Sequence, residues 1–126
     1  MANPNIVNVT SIYGNTTYLI PSTTGATTWT ALTPAVGTVN KVNSLMAANV
    51  TASAVAVTVS INSATGGGGT AYRLAYQIVV PVNASLIIVD KTTSMYVGEG
   101  QSVVVTVGTG SAIELVASYE AITSTS

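Results

Sequence analysis

The stretch that decides the fold is AVAVTVSI, residues 54–61. Large branched residues alternate strictly with small ones along it. Val55, Val57, Val59 and Ile61 project to one side, and Ala54, Ala56, Thr58 and Ser60 to the other. A period of two with β-branched residues on one side predicts a strand with one buried face. The other face is small and uncharged, so water can wet it, and a second protein can cover it without burying an unpaired charge.

A glycine-rich segment and a second alternating stretch follow this strand. Residues 62–70 contain four consecutive glycines: Gly66, Gly67, Gly68 and Gly69. No Gly-Lys-Ser/Thr follows them, which argues against a phosphate loop. The glycines predict either a mobile tip or a place where another backbone approaches closely. In residues 71–80, Tyr72, Leu74, Tyr76, Ile78 and Val80 fall on one side. We therefore predict an antiparallel hairpin of residues 54–61 and 71–80.

The segments before the central strand are less regular. Residues 5–11 and 16–20 predict a hairpin across the turn Tyr13-Gly14-Asn15. A short strand over residues 27–32 carries Trp29. Residues 38–46 predict a weak edge strand, because Lys41 is a residue that discourages uncontrolled strand pairing. The central strand itself is expected to span residues 50–61, with a bend near Ser53.

The remaining strands alternate with polar turns. The apolar run 85–89 predicts a strand buried on both faces. Short strands follow at 95–97, 102–107 and 112–119. The second directs Val103, Val105 and Val107 inward, and the third has Ile113, Leu115, Ala117 and Tyr119 on one face. Eight to ten short strands without an amphipathic helix predict an all-β fold, an antiparallel β-sandwich of Greek-key or jelly-roll type. We expect a single domain over residues 1–126, with the central sandwich in 50–126 and strands and loops in 1–49 that contact neighbouring subunits.

Composition excludes several classes of function. Only 6% of the 126 residues are charged, against about 25% in typical soluble domains. Three dispersed basic residues do not make a nucleic-acid-binding surface. The longest apolar run is too short to span a membrane. Residues 1–5 have neither a charged nor an apolar signal region, so we expect synthesis and folding in a cytoplasm.

The residues needed for catalysis or metal binding are scarce. Histidine and cysteine are absent, and the four acidic residues are dispersed. Nucleophilic catalysis needs an activated nucleophile with a base in reach, and no such pair is recognisable. Zinc ligands are missing, and Asp90 and Glu99, which flank one predicted hairpin, would hold a cation only loosely. The sequence therefore predicts no enzyme, no cofactor and no metal site.

The aromatic residues and the glycines are the candidate interface residues. One interpretation is that Trp29, Tyr13 and Tyr18 form an aromatic patch for sugar binding, and that the loop with Gly66, Gly67, Gly68 and Gly69 also contacts a partner. The alternative is that Trp29 anchors the core or a subunit interface, where an aromatic body with one polar atom is favoured. We prefer this second interpretation.

The last third of the chain carries a resemblance. Residues 86–122 combine an apolar strand ending in Asp90-Lys91, a short strand from Tyr96 to the Gly98-Glu99-Gly100 turn, and a last strand ending in Ser118-Tyr119-Glu120. This run resembles a module of small virion structural proteins of tailed bacteriophages. The resemblance implies a structural role in a virion.

Two hypotheses for function follow. The first is a capsid decoration or cement protein on the outer surface of the head. It would bind the major capsid protein and neighbouring copies of itself. We expect a trimer, because capsid lattices offer three-fold positions. Charge-poor faces suit such broad contacts, because they bury no unpaired charge. The second is a tail, fibre or neck module that binds a host receptor or glycan through the aromatic residues and the glycine loop.

Overall fold

The computed structural model describes residues 9–124, so the first part of the predicted strand 5–11 lies outside the described residues. Two antiparallel sheets pack face to face, which confirms the all-β sandwich. The strands are β1 (Val9–Leu19), β2 (Thr27–Thr28), β3 (Thr38–Asn49), β4 (Val55–Asn62), β5 (Ala71–Val80), β6 (Ser85–Val89), β7 (Met95–Val97), β8 (Ser102–Val107) and β9 (Ile113–Ser124).

The strand order identifies the sandwich as a jelly roll. The first sheet has the order β1-β9-β3-β6, and β7 pairs with the other half of β3. The second sheet has the order β2-β8-β4-β5. Strands β6 and β7 pair with successive parts of β3 and so occupy one strand position. The sandwich therefore has four strand positions in each sheet, and the chain crosses repeatedly between the sheets, as in a jelly roll. The structure thus decides between the two alternatives that the sequence left open.

The core lies between the sheets and is built mainly from valine. Val57 and Val59 of β4 and Val105 of β8 are fully buried, as the alternation predicted. Leu45 of β3 and Leu115 of β9 face them from the first sheet. Branched side chains suit this position because they pack closely on a pleated surface. Strands from both parts of the chain supply the core.

The predicted hairpin across the glycines is confirmed. Strands β4 and β5 are antiparallel, with Val55 opposite Val80 and Asn62 opposite Ala71. Two register shifts in β5 place Ala75 opposite the inward-facing Val59. The predicted alternation of β5 is therefore wrong in its middle, because each extra residue reverses the facing of those beyond it.

The glycine segment approaches the second sheet closely. Its 3₁₀ turn, Thr65–Gly67, lies over the outer face of that sheet. The Gly67 amide donates to Ser102 Oγ at 3.0 Å, and Asn62 Nδ2 donates to the Gly67 carbonyl at 2.9 Å. A Cβ on Gly67 would lie 2.8 Å from Thr28 Oγ1, and its φ is +80°. A glycine is required here, since the site offers neither the space nor the backbone angle for a side chain.

Several predicted strands are corrected by the tertiary pairing. The chain does not turn at Gly14, because β1 runs through it and pairs along its length with β9. Strand β3 is central rather than an edge, with β9 on one side and β6 and β7 on the other. Strand β6 is an edge strand whose Ile87 is exposed, so it is not buried on both faces. Strand β4 begins only at Val55, after an irregular turn.

Asn49 organises that turn and ties the two sheets together. This residue ends β3 and is buried. Its Nδ2 donates to the carbonyl oxygens of Ser53 at 2.8 Å and Val80 at 3.0 Å. Its Oδ1 accepts from the Thr51 amide and hydroxyl at 2.9 and 2.7 Å. The Val80 bond joins the end of β3 in the first sheet to the end of β5 in the second.

Candidate interaction surfaces

The surface of the molecule is poor in charge and rich in exposed apolar side chains. The whole chain has seven charged residues. Among the described residues alone, fifteen large hydrophobic side chains are exposed. They concentrate on the two long edge strands, β1 and β5, and on the outer face of the first sheet. We therefore describe these three places as candidate interaction surfaces.

The outer face of the first sheet is organised in rows that cross the strands. Residues opposite each other in neighbouring strands face the same side of a sheet. One row contains Gly14, Glu120, Lys41 and Tyr96. A second row is apolar and contains Tyr18, Val116, Met46 and Ile87. A polar row of Thr16, Ser118 and Ser44 lies between these two rows, and Lys41 and Glu120 are opposite charges on adjacent strands.

A cleft lies on this face between strands β3, β6 and β9. It has a volume of about 520 Å³ and is lined by Lys41, Asn43, Met46, Ile87, Asp90 and Glu120 among others. Three of the seven charged residues in the chain meet here. Asn43 Nδ2 donates to Glu120 Oε1 at 3.3 Å, and both residues also line a second cleft of about 310 Å³ beside Gly14. Sequence patterning missed this site, because Lys41 and Glu120 meet only through long-range strand pairing.

Asp90, at the margin of the larger cleft, is engaged in capping its own turn. Its carboxylate accepts hydrogen bonds from the hydroxyls and amides of Thr92 and Thr93. Hydrogen bonds from the side chain of Thr92, then from that of Thr93, lower the pKa of Asp90 below its ordinary value, since they stabilise the ionised form. Asp90 is thus held in a structural cap.

The acidic residues within 9–124 are not grouped as metal ligands. Within residues 9–124, no group of three or more histidine, cysteine, aspartate or glutamate side chains is placed to hold a metal ion. Glu99, the other carboxylate weighed as a cation ligand, accepts a hydrogen bond from the Gly37 amide at 2.9 Å. No helix in the same range is long and apolar enough to cross a membrane.

The β5 edge is exposed on both faces over most of its length. The name β5 edge means strand Ala71–Val80, which pairs with β4 on one side only. The exposed fractions are 61% for Tyr72, 57% for Tyr76 and 60% for Val79. The Arg73 guanidinium lies over the Tyr76 ring, 5.2 Å from its centroid, and is the one charge on the strand. Two register shifts interrupt this strand, so its exposed side chains, rather than continuous strand pairing, make the β5 edge a candidate for association.

The predicted interface residues do not form one patch. Trp29 is 1% exposed, and its Nε1 donates to Thr17 Oγ1 at 3.4 Å, so it belongs to the core. Tyr13 and Tyr18 are 64% and 73% exposed but face opposite sides of β1. The turn at Gly67 lies over the other sheet. Whether the tyrosines or Gly66, Gly67, Gly68 and Gly69 contact a partner stays a prediction.

Comparisons with known proteins identify the fold and no family. No family model matches the chain, and no curated protein matches it. One similar solved structure is that of Bacillus endospore appendages, described as a novel family of disulfide-linked pili. Its sequence is 17% identical to this chain, and the match covers 92% of this chain and 90% of the other with a TM-score of 0.51. The present chain has no cysteine, so it cannot form a disulfide link.

A second solved structure belongs to a virus-like particle of the extra small virus of the giant freshwater prawn Macrobrachium rosenbergii. Its identity is 15%, its coverage is 89% of this chain and 79% of the other, and its TM-score is 0.41. Neither solved structure is a tailed-phage decoration protein, so the resemblance to that class rests on residues 86–122 alone. At 17% identity, the likeness to the endospore appendage structure concerns the fold alone.

Proposed function

We propose that this chain is a non-enzymatic structural protein of an assembled particle, and specifically a decoration or cement protein on the capsid surface of a tailed phage. It binds the assembled head through the major capsid protein and associates with copies of itself. The observation that carries the proposal is the β5 edge, a long apolar strand edge with a single charge and both faces exposed. The exposed apolar side chains of this edge are suited to contact with another protein surface.

The surface chemistry supports a broad and mainly apolar contact with the shell. Tyr72, Tyr76 and Val79 project from the β5 edge, and the adjoining outer face of the second sheet carries small polar side chains such as Thr58 and Thr106. Tyrosine is enriched at protein interfaces, because its ring buries a large area and its hydroxyl remains satisfied at the rim. Small hydroxyl side chains add hydrogen bonds without the cost of burying charge.

The direct test is reconstitution on stripped heads. Purified protein is added to heads that lack it, and bound copies are counted by quantitative mass spectrometry. We expect hundreds of copies per head, and we expect Tyr72→Lys to reduce occupancy at least tenfold. Val36→Lys is the matched control, since Val36 is 86% exposed and lies in a loop away from the β5 edge. A count of a dozen or fewer copies per particle contradicts a cement role.

Binding to the assembled shell alone must stabilise it by mass action. Decorated heads are therefore expected to release their genome at a higher temperature than stripped heads. Attachment should persist from about 0.1 M to about 1 M salt, a range over which attraction between surface charges is largely screened. Release of the protein on raising salt alone, or identical melting of the two kinds of head, contradicts the proposal.

A second candidate function is recognition of a host glycan or receptor, and the cleft on the first sheet favours it. Asn43, Lys41 and Glu120 supply hydrogen-bonding groups beside an apolar floor, and Tyr96 lies in the same cross-strand row as Lys41. This combination suits a sugar, whose hydroxyls need polar partners and whose ring faces stack on aromatic groups. A glycan array with the purified protein tests it, with Asn43→Ala expected to abolish any signal and Val36→Lys to leave it unchanged.

A further inference from the structure

We propose that β1 is a self-association edge, through which two copies of this chain pair antiparallel about a two-fold axis and join their first sheets into one continuous sheet. This pairing would occur between free copies of the protein, without attachment to a capsid. It does not depend on which particle the protein belongs to.

The unpaired edges of the two sheets differ in regularity, and this difference selects β1. Strand β1 pairs with β9 without a register shift over residues 11–19, and no other described strand lies on its outer side. It contains neither a charged residue nor a proline. Natural edges avoid pairing by being short, bulged or charged. Over residues 11–19, strand β1 has none of these protections, and its one register shift lies at the start of the strand, between Val9 and Ser11.

Within the described part of the chain, every other edge strand has at least one of these protections. Strands β2 and β7 have only two and three residues. Strand β6 has five residues and a register shift against β3. Strand β5 has two register shifts, a positive φ at Gln77 and the charge of Arg73. A regular strand pairs best with another regular strand, so the best available mate for β1 is β1 of a second copy.

The sequence of β1 is self-complementary in one register. A two-fold axis through Asn15 places Ile12 opposite Tyr18 of the second copy, Tyr13 opposite Thr17, and Gly14 opposite Thr16. Opposite residues then face the same side, as antiparallel pairing requires. Ile12 and Tyr18 are 56% and 73% exposed in the single chain, and this register covers each with the other. Aromatic and β-branched residues are favourable cross-strand pairs.

The area available is sufficient for a modest dimer. Ile12, Tyr13 and Tyr18 are each more than half exposed. With the backbone edge and the smaller side chains between them, burial of nine residues on each copy removes roughly 1,000 Å² in total, which is about the lower limit for a specific interface. We therefore expect a dimer that dissociates on dilution into the micromolar range.

The register is tested by a single cysteine in this cysteine-free chain. Asn15 is its own partner on the axis, so the two α-carbons would lie about 4.5–5.5 Å apart, within the range that a disulfide spans. Asn15→Cys should form a covalent dimer under mild oxidation. Thr17→Cys is the matched control, since its two copies would lie four residues apart along the strands, about 13 Å. Equal cross-linking of both variants, or of neither, overturns the proposed register.

The interface is tested independently by a charge exchange. Ile12→Glu and Tyr18→Lys should each weaken association about tenfold in light scattering, because each replaced pair occurs twice in a two-fold dimer. The double variant places opposite charges across the axis and should recover most of the loss. Tyr72→Lys, on the β5 edge, should leave the mass unchanged, and circular dichroism verifies the fold of each variant. A wild-type monomer at high concentration, a trimer, or dissociation by Tyr72→Lys alone overturns the proposal.

Discussion

The sharpest prediction for stability concerns Asn49, whose side chain joins the end of β3 to the end of β5. Asn49→Ala removes two donated and two accepted hydrogen bonds, at distances of 2.7 to 3.0 Å. A net hydrogen bond contributes about 1 kcal/mol, and groups that stay buried without a partner add to the loss. We therefore expect the free energy of unfolding to fall by about 3 kcal/mol, which lowers the melting temperature by about 10 °C.

Asn49→Asp separates the donated bonds from the accepted ones. The introduced carboxyl still accepts from Thr51, but its second oxygen faces the carbonyl oxygens of Ser53 and Val80, where the amide had donated. Burial and this repulsion disfavour the charged form, so the folded-state pKa should rise above the ordinary value of about 3.9. The folded state then binds more protons than the unfolded state above pH 4. Stability relative to wild type must therefore fall as the pH rises from about 4.

The assay is urea unfolding of wild type, Asn49→Ala, Asn49→Asp and Thr51→Ala at pH 4, 5.5 and 7. Trp29, the single tryptophan, is buried and reports unfolding by its fluorescence. Thr51→Ala is the control, because it removes only hydroxyl bonds at the turn and should cost about 1 kcal/mol. If Asn49→Ala costs no more than Thr51→Ala, or if the Asp variant follows wild type at every pH, Asn49 does not join the two sheets as described.

Four further outcomes are expected from unfolding measurements on single variants. Gly67→Ala should destabilise the protein by about 1 kcal/mol or more beyond the loss caused by Gly66→Ala. Both glycines have a positive φ, but of the two only Gly67 would place its added Cβ against another side chain. Equal losses contradict this packing. Gly14→Thr should stabilise by up to about 1 kcal/mol, since a Cβ there meets no atom within 4 Å. Trp29→Phe, followed by circular dichroism, should cost about 2 kcal/mol for lost volume and one hydrogen bond. Because the pKa of Asp90 is lowered in the folded state, its carboxylate stabilises the fold above its ordinary pKa, and this stabilisation is lost as the pH falls. The free energy of unfolding of wild type should therefore exceed that of Asp90→Asn by more at pH 7 than at pH 3.

The candidate surfaces lay largely beyond sequence patterning. Alternation predicted which residues of β4, β8 and β9 face the core, and it placed Tyr72 and Tyr76 on a strand. It did not predict that β5 would be bulged and exposed on both faces. A strand lies at the edge of a sheet only when no other strand pairs with its second side, and alternation within one strand does not reveal this. The cleft at Lys41 and Glu120 was missed for the same reason, since 79 positions of chain separate the two residues and only strand pairing joins them.

The sequence by itself determined the fold class, the β4–β5 hairpin and the scarcity of catalytic groups. These are local or compositional properties, since a two-residue period and a lack of histidine and cysteine can be recognised without knowing the strand order. Only the tertiary structure decided that Gly14 lies within one long strand, that β3 is central, and that the topology is a jelly roll. Those facts depend on contacts between distant residues: strand β9 supplies the partner for both β1 and β3. The final strand of the chain thus determines the places of two early ones, which local patterns cannot reveal.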